Sequence, residues 1–143
     1  MTARLQLTSE QQNELLSDLT LRLVEALPEQ GWKQFVLEYR QVGKHIQISV
    51  GLVKPDGSIQ RWDPPEQTWR YIQTLRHGMY VEDRGTWFSI QFTIDHPNTF
   101  RIHYNYELEP KWGNPSADDF RLDLERYPHT EGSMPPWFRE KLS

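Results

Sequence analysis

Five histidines, His45, His77, His96, His103 and His129, are the residues here best suited to moving protons or holding a metal. Their spacing argues against both uses. No two of them stand four apart, the separation that stacks two imidazoles on one helical face around a zinc ion. His96 and His103 flank a predicted hairpin, but one lies in the turn and the other in mid-strand, so both are expected to be solvated. His103 and Glu107 are the nearest approach to a base and its orienting carboxylate. Four residues of extended chain separate them by about 13 Å, at ~3.3 Å per residue, too far for a direct hydrogen bond. Asp118 and Asp119 offer adjacent carboxylates for acid–base work. Acids at a helix start more simply complement the helix dipole, and that is the reading preferred.

Nucleophile and phosphate motifs are missing as well. There is no Gly-x-Ser-x-Gly, no Ser-x-x-Lys and no glycine-rich loop, the 8 glycines being scattered singly at turns. The chain has no cysteine, which removes thiolate ligands, a cysteine nucleophile and disulfides. The expectation is a protein with no catalytic residues, no metal and no cofactor.

Composition narrows the partner. The 143 residues suit one domain spanning the whole chain, with 36% hydrophobic and 25% charged residues giving a folded, core-forming composition. Twenty acidic against 16 basic residues leave a formal charge of -4, and no Lys/Arg run compensates locally. That speaks against nucleic acid and for a basic protein partner. The N-terminus lacks an apolar signal segment and no stretch approaches the ~20 apolar residues of a membrane span, so the expected location is the cytoplasm, with no membrane partner.

The elements that would position a site follow from periodicity. Residues 8–31 read as an amphipathic helix: Thr8 or Ser9 caps it with Gln11 or Gln12, and Leu15, Leu16, Leu19, Leu23, Ala26 and Leu27 form its apolar stripe. Pro28 and Gly31 end it. The period then becomes two. Phe35, Leu37 and Tyr39 share one face, Ile46, Ile48, Val50 and Leu52 another, and Gly43-Lys44 between them is the pair expected of a type II′ turn. A two-residue loop pairs Val42 with His45, hence Tyr39 with Ile48, Leu37 with Val50 and Phe35 with Leu52, all on one side. A short third strand is expected over 58–62 and a helix over 66–76, with Gly78 as its stop.

A second hairpin follows, with Phe88, Ile90, Phe92 and Ile94 inward and Ile94 opposite Phe100, Phe92 opposite Ile102. Trp87, Ser89, Gln91 and Thr93 then share the outer face with Arg101, His103, Asn105 and Glu107. Ser116 caps a last helix with Phe120, Leu124 and Tyr127 inward, and Trp137 and Phe138 plug the core. The fold class is α+β: a single antiparallel sheet of about five strands with helices packed on one face.

With catalysis set aside, what remains is a surface. Trp62, Trp87 and Trp112 stand at strand ends or turns, where the pattern does not force them inward, and Trp is favoured at interface centres. Glu107, Glu109, Asp118 and Asp119 cluster in sequence around Trp112 as an acidic, aromatic patch suited to a basic cleft. His103 and Asn105 complete the set of candidate contact residues.

The order of these features resembles the YezG-like antitoxin family, immunity proteins encoded beside secreted bacterial polymorphic toxins. The resemblance rests on Trp32 after a Pro-Gly helix stop, Trp87 and Phe92 in the fourth strand, Tyr104-Asn105-Tyr106 with Pro110 and Trp112, and Tyr127-Pro128 with Pro136-Trp137. It covers most of the chain, the first helix matching only in character. It implies a non-catalytic inhibitor that occludes a toxin's active site. The implied partner is a nuclease, or an NAD glycohydrolase of the tuberculosis necrotizing type, to whose immunity proteins the closing segment is similar. Relatives carry aspartates around the fifth strand where this chain has His103, Asn105 and Glu107, which implies a different cognate toxin. The competing reading is a small-molecule-binding or enzymatic α+β domain using the outer sheet face.

Overall fold

Strand pairing follows the alternation closely. The computed structural model describes residues 6–142. In it β1 (Gln34–Val42) and β2 (His45–Val53) form an antiparallel hairpin with Val42 opposite His45 and Phe35 opposite Leu52, the register expected from a two-residue loop. Gly43 has φ 57°, which its lack of a Cβ permits, and Lys44 has no positive φ, as a type II′ turn requires. The same absence of a side chain lets the backbone of Asp119 lie directly against the turn.

The second hairpin, β4 (Ser89–Asp95) and β5 (Thr99–Asn105), also has its expected register, Ile94 opposite Phe100 and Phe92 opposite Ile102. The third strand shrinks to β3 (Ile59–Gln60), both residues exposed. The two hairpins join through β1 and β4, with Leu37 opposite Phe92, so the sheet order is β3-β2-β1-β4-β5 and every pairing is antiparallel.

Four helices accompany this sheet among the described residues, an α+β arrangement. Helix α1 (Ser9–Ala26) is capped by Thr8, whose hydroxyl accepts the Gln11 N–H while the Gln11 side chain returns to the Thr8 N–H. Leu16, Leu19, Leu23 and Leu27 are buried; Ala26, expected in the stripe, is exposed. Helix α2 (Gln67–Gly78) buries Ile72 and Leu75 beside them. Together they cover the face of the sheet that carries Phe35, Leu37, Tyr39, Ile90, Phe92 and Ile94. Gly78 leaves room for the side chain of Leu7 packed on it, and its carbonyl accepts the Leu7 N–H at 2.8 Å.

A second, smaller core closes the hairpin end. Helix α3 (Ala117–Arg126), capped by Ser116 and Asp119, contributes Phe120; α4 (Pro136–Lys141), a helix within the proline-punctuated tail, contributes Phe138. They pack with Val42, Phe88 and Trp112. Phe88 was expected inward beside Ile90 and Trp87 outward beside Ser89; the structure reverses both. The N–H of Phe88 reaches the carbonyl of Asn105 although Asn105 is in register with Ser89, so two residues oppose one. Such a bulge shifts the alternation. Trp87 therefore enters the main core against Tyr39, and Phe88 joins the second.

One buried ion pair ties these parts together. Arg76 of α2 and Asp123 of α3 meet through two hydrogen bonds of 2.8 and 3.2 Å, with side chains only 2% and 5% exposed. Arg76 Nε also donates to the Trp87 carbonyl, and the Gly43 N–H donates to Asp123. Each charge is thus matched by a partner and by further hydrogen bonds, the condition under which a buried pair is tolerated.

Asp123→Ala, which leaves the guanidinium buried and unpaired, is expected to cost about 3–5 kcal/mol of stability, read from urea denaturation midpoints. An Arg76→Met, Asp123→Leu double variant should recover most of that loss; a single variant as stable as the parent would show the pair to be inert.

A pH dependence follows from His129. Its ring lies edge-on to Phe138 at 5.1 Å, and its Nδ1 is buried with no partner among the described residues. Burial holds its pKa below the ordinary value, with Asp123 and the Ser133 backbone opposing. Because the folded state favours the neutral ring, this group's contribution is intact above about pH 6.5 and declines as pH falls below it. Denaturation at pH 7.5 and 5.5 should show a loss that His129→Gln reduces; an equal loss in both proteins would assign it elsewhere.

Candidate functional site

Because α1 and α2 cover one face of the sheet, the alternate residues of β1, β4 and β5 are left on the other. Gln34 and Val36, Gln91 and Thr93, and Arg101 and His103 meet there, with Ile102, around a groove of about 360 Å³. Its lining is mostly neutral and polar. Arg101 is held by Asp95, the last residue of β4, at 3.2 Å, and Arg40 farther along β1 pairs with Glu38 and donates to Ser49. Burial lowers the pKa of Arg40. His103 is exposed on the rim.

The remaining predicted contact residues separate into surface and interior. Asn105 is occupied in shaping the chain: its amide donates to Ser89 Oγ and the Leu108 carbonyl, and its Oδ1 accepts the N–H groups of Glu107 and Leu108. That bend presents the side chains of Glu107 and Glu109 to solvent. The Glu107 carbonyl accepts the indole N–H of Trp137 at 2.6 Å, and Glu109 pairs with Lys141 at 3.3 Å. Asp118 is exposed and bound to Arg121. Asp119 caps α3 and accepts the Lys44 N–H at 3.2 Å. Burial raises its pKa, but hydrogen bonds from Ser116 and Lys44 outweigh this and hold the carboxyl below its ordinary value. Its carboxylate is therefore committed to holding the hairpin turn.

Two of the three tryptophans cannot meet a partner directly, which corrects the expectation for them. Trp87 is fully buried against Tyr39 and the Arg76 guanidinium. Trp112, 1% exposed, lies edge-on to Phe88, Phe120 and Trp137, and its carbonyl is bound by His45 Nε2. Strand-end position left their direction open; packing closed it, because the second core needs a large side chain between β4 and α3. Trp62 is half-buried, edge-on to Phe35 at 5.6 Å. The half-exposed aromatic at the acidic end is Trp137, which sequence placed only as a plug.

Arg101, Gln91 and Thr93 were legible as outer-face residues. Gln34 and Val36 were not, since nothing local announces that β1 lies beside β4. Among the described residues no group of three or more His, Asp or Glu side chains is arranged to hold a metal ion. No described helix is long and apolar enough to cross a membrane.

Trp112→Ala is expected to cost about 3–5 kcal/mol through the cavity it leaves, measured by thermal or urea unfolding. Unfolding at the parental midpoint would contradict its place in the second core.

Compared with models of known protein families and with curated proteins, the chain gives no match.

Proposed function

We propose that this chain is an immunity protein, a non-catalytic antitoxin that binds a cognate secreted bacterial toxin and covers its active site. The observation that carries the reading is the polar groove on the uncovered sheet face, together with the exposed acids Glu107 and Glu109 that follow β5 beside Trp137. A rigid sheet displaying polar side chains, with an aromatic and acids at one end, has the composition of a protein-docking surface. The formal charge of -4 complements a basic partner. The resemblance to YezG-like antitoxins supports the same reading and names the partner class, an NAD glycohydrolase or a nuclease. An interface of ordinary size would bury roughly 1,600 Å² in total, more than the groove alone offers, so the acidic end belongs to the contact.

The second reading, a small-molecule site, rests on the groove itself. Its two amides, Gln34 and Gln91, with the Thr93 hydroxyl, Arg101 and His103, would hold a polar ligand of modest size.

The decisive experiment co-expresses the chain with the product of the neighbouring reading frame and measures binding. Gln91→Arg, in the groove, and Glu107→Lys, at the acidic end, are each expected to weaken toxin binding by at least tenfold while leaving the melting temperature within a few degrees. Parental affinity in both variants would remove this face from the contact. Loss in Gln91→Arg alone, together with saturable binding of a small ligand, would favour the second reading.

A further inference from the structure

The β5 edge of the sheet has its own chemistry, apart from the groove. In the β4–β5 ladder the backbone groups of Thr99, Arg101, His103 and Asn105 face β4, so those of Phe100, Ile102 and Tyr104 point away from the sheet. No described residue hydrogen-bonds to them. The strand runs seven residues, Thr99–Asn105, without proline or a bulge within it, and its one charged residue, Arg101, is paired with Asp95. The side chains of Phe100, Ile102 and Tyr104 pack on the main core yet remain partly exposed, and Tyr106, 39% exposed, continues their row.

We propose that this edge pairs with the β5 edge of a second copy of the chain, antiparallel about a two-fold axis at Ile102, joining two sheets into one. The register is self-complementary. Ile102 faces Ile102 of the other copy and Phe100 faces Tyr104, so every backbone group pointing off the edge meets one that also does. The aromatic and aliphatic pairs cover the half-exposed row, the kind of cross-strand contact that stabilises antiparallel sheets. On the outer face Arg101 comes opposite His103. Each Arg101 is already balanced by Asp95 of its own chain at 3.2 Å, so the two-fold brings no strong repulsion there. The extended strand ends at Thr99 and Asn105, beyond which the chain turns, and a two-fold contact uses the same edge of both copies. The pairing is thereby confined to the strand, which favours a closed dimer over a fibre.

Sedimentation equilibrium of the full chain from 1 µM to about 1 mM at pH 7.5 tests this. The expected result is a concentration-dependent rise from 17.1 kDa to twice that mass, with amide exchange at Phe100, Ile102 and Tyr104 slowing in step. His103→Glu, on an exposed site, places a carboxylate opposite each Arg101 and should tighten the dimer about fivefold. Ile102→Lys sets two ammonium groups together on the axis and should abolish it while the melt shows a folded chain. A single 17.1 kDa species throughout would overturn the proposal. So would a dimer that His103→Glu does not strengthen, which also keeps the test decisive where Ile102→Lys fails to fold. Toxin binding is a separate measurement, so either reading can fail alone.

Discussion

Arg76 and Asp123 form a charge pair with almost no access to water, and most of the architecture at one end of the molecule is arranged to satisfy it. A guanidinium buried without a counter-charge would be prohibitively costly, so α3 must lie where Asp123 can reach α2. Placing Asp123 there also brings its carboxylate to the Gly43 N–H and brings Asp119 to the Lys44 N–H. The hairpin turn is thus held by two carboxylates from one face of a single helix. Phe120, on the same helix, then closes over Trp112, and the tail adds Phe138. The Arg76 guanidinium lies over the rings of Trp87, in the main core, and Tyr127, at the end of α3, as well.

That placement of α3 and α4 gives the open face its boundary. Helices α1 and α2 cover the apolar row of β1 and β4, leaving Ile46 and Ile48 of β2 exposed, and α3 and α4 seal only the hairpin end. The polar row of β1, β4 and β5 is left as a broad surface on a scaffold of backbone hydrogen bonds, rigid enough to present side chains without first ordering them. At the sealed end, Trp137 bridges interior and surface: its ring packs on Phe88 and Trp112 while its N–H fixes the Glu107 carbonyl. The acids beside it are therefore displayed from a held backbone. Burial raises the pKa of the Tyr104 hydroxyl to about 12, so that side chain stays neutral through the physiological range.

Much of the fold was legible because its signals are local. Thr8 with Gln11 and Ser116 with Asp119 are capping boxes readable from four residues. The registers of both hairpins follow from turn length and alternation, as Phe35 opposite Leu52 and Phe92 opposite Ile102 illustrate. The candidate site was legible in part. His103 and Glu107 fall on exposed positions because strand alternation and a proline-broken turn put them there. Trp87 and Trp112 do not, because hydrophobic period says nothing certain at a strand end, where one bulged residue reverses the face.

By itself, then, the sequence determined three of the four described helices, the caps of α1 and α3, the two hairpin registers and the polar character of one sheet face, all properties set by residues a few positions apart. The tertiary structure alone decided that β1 lies beside β4, that Phe88 and Trp87 exchange faces, that Trp112 is core, and that Arg76 finds Asp123 across 47 residues of chain. Those outcomes depend on which distant surfaces exclude water from one another and on which buried charge must find a partner. No local spacing encodes either.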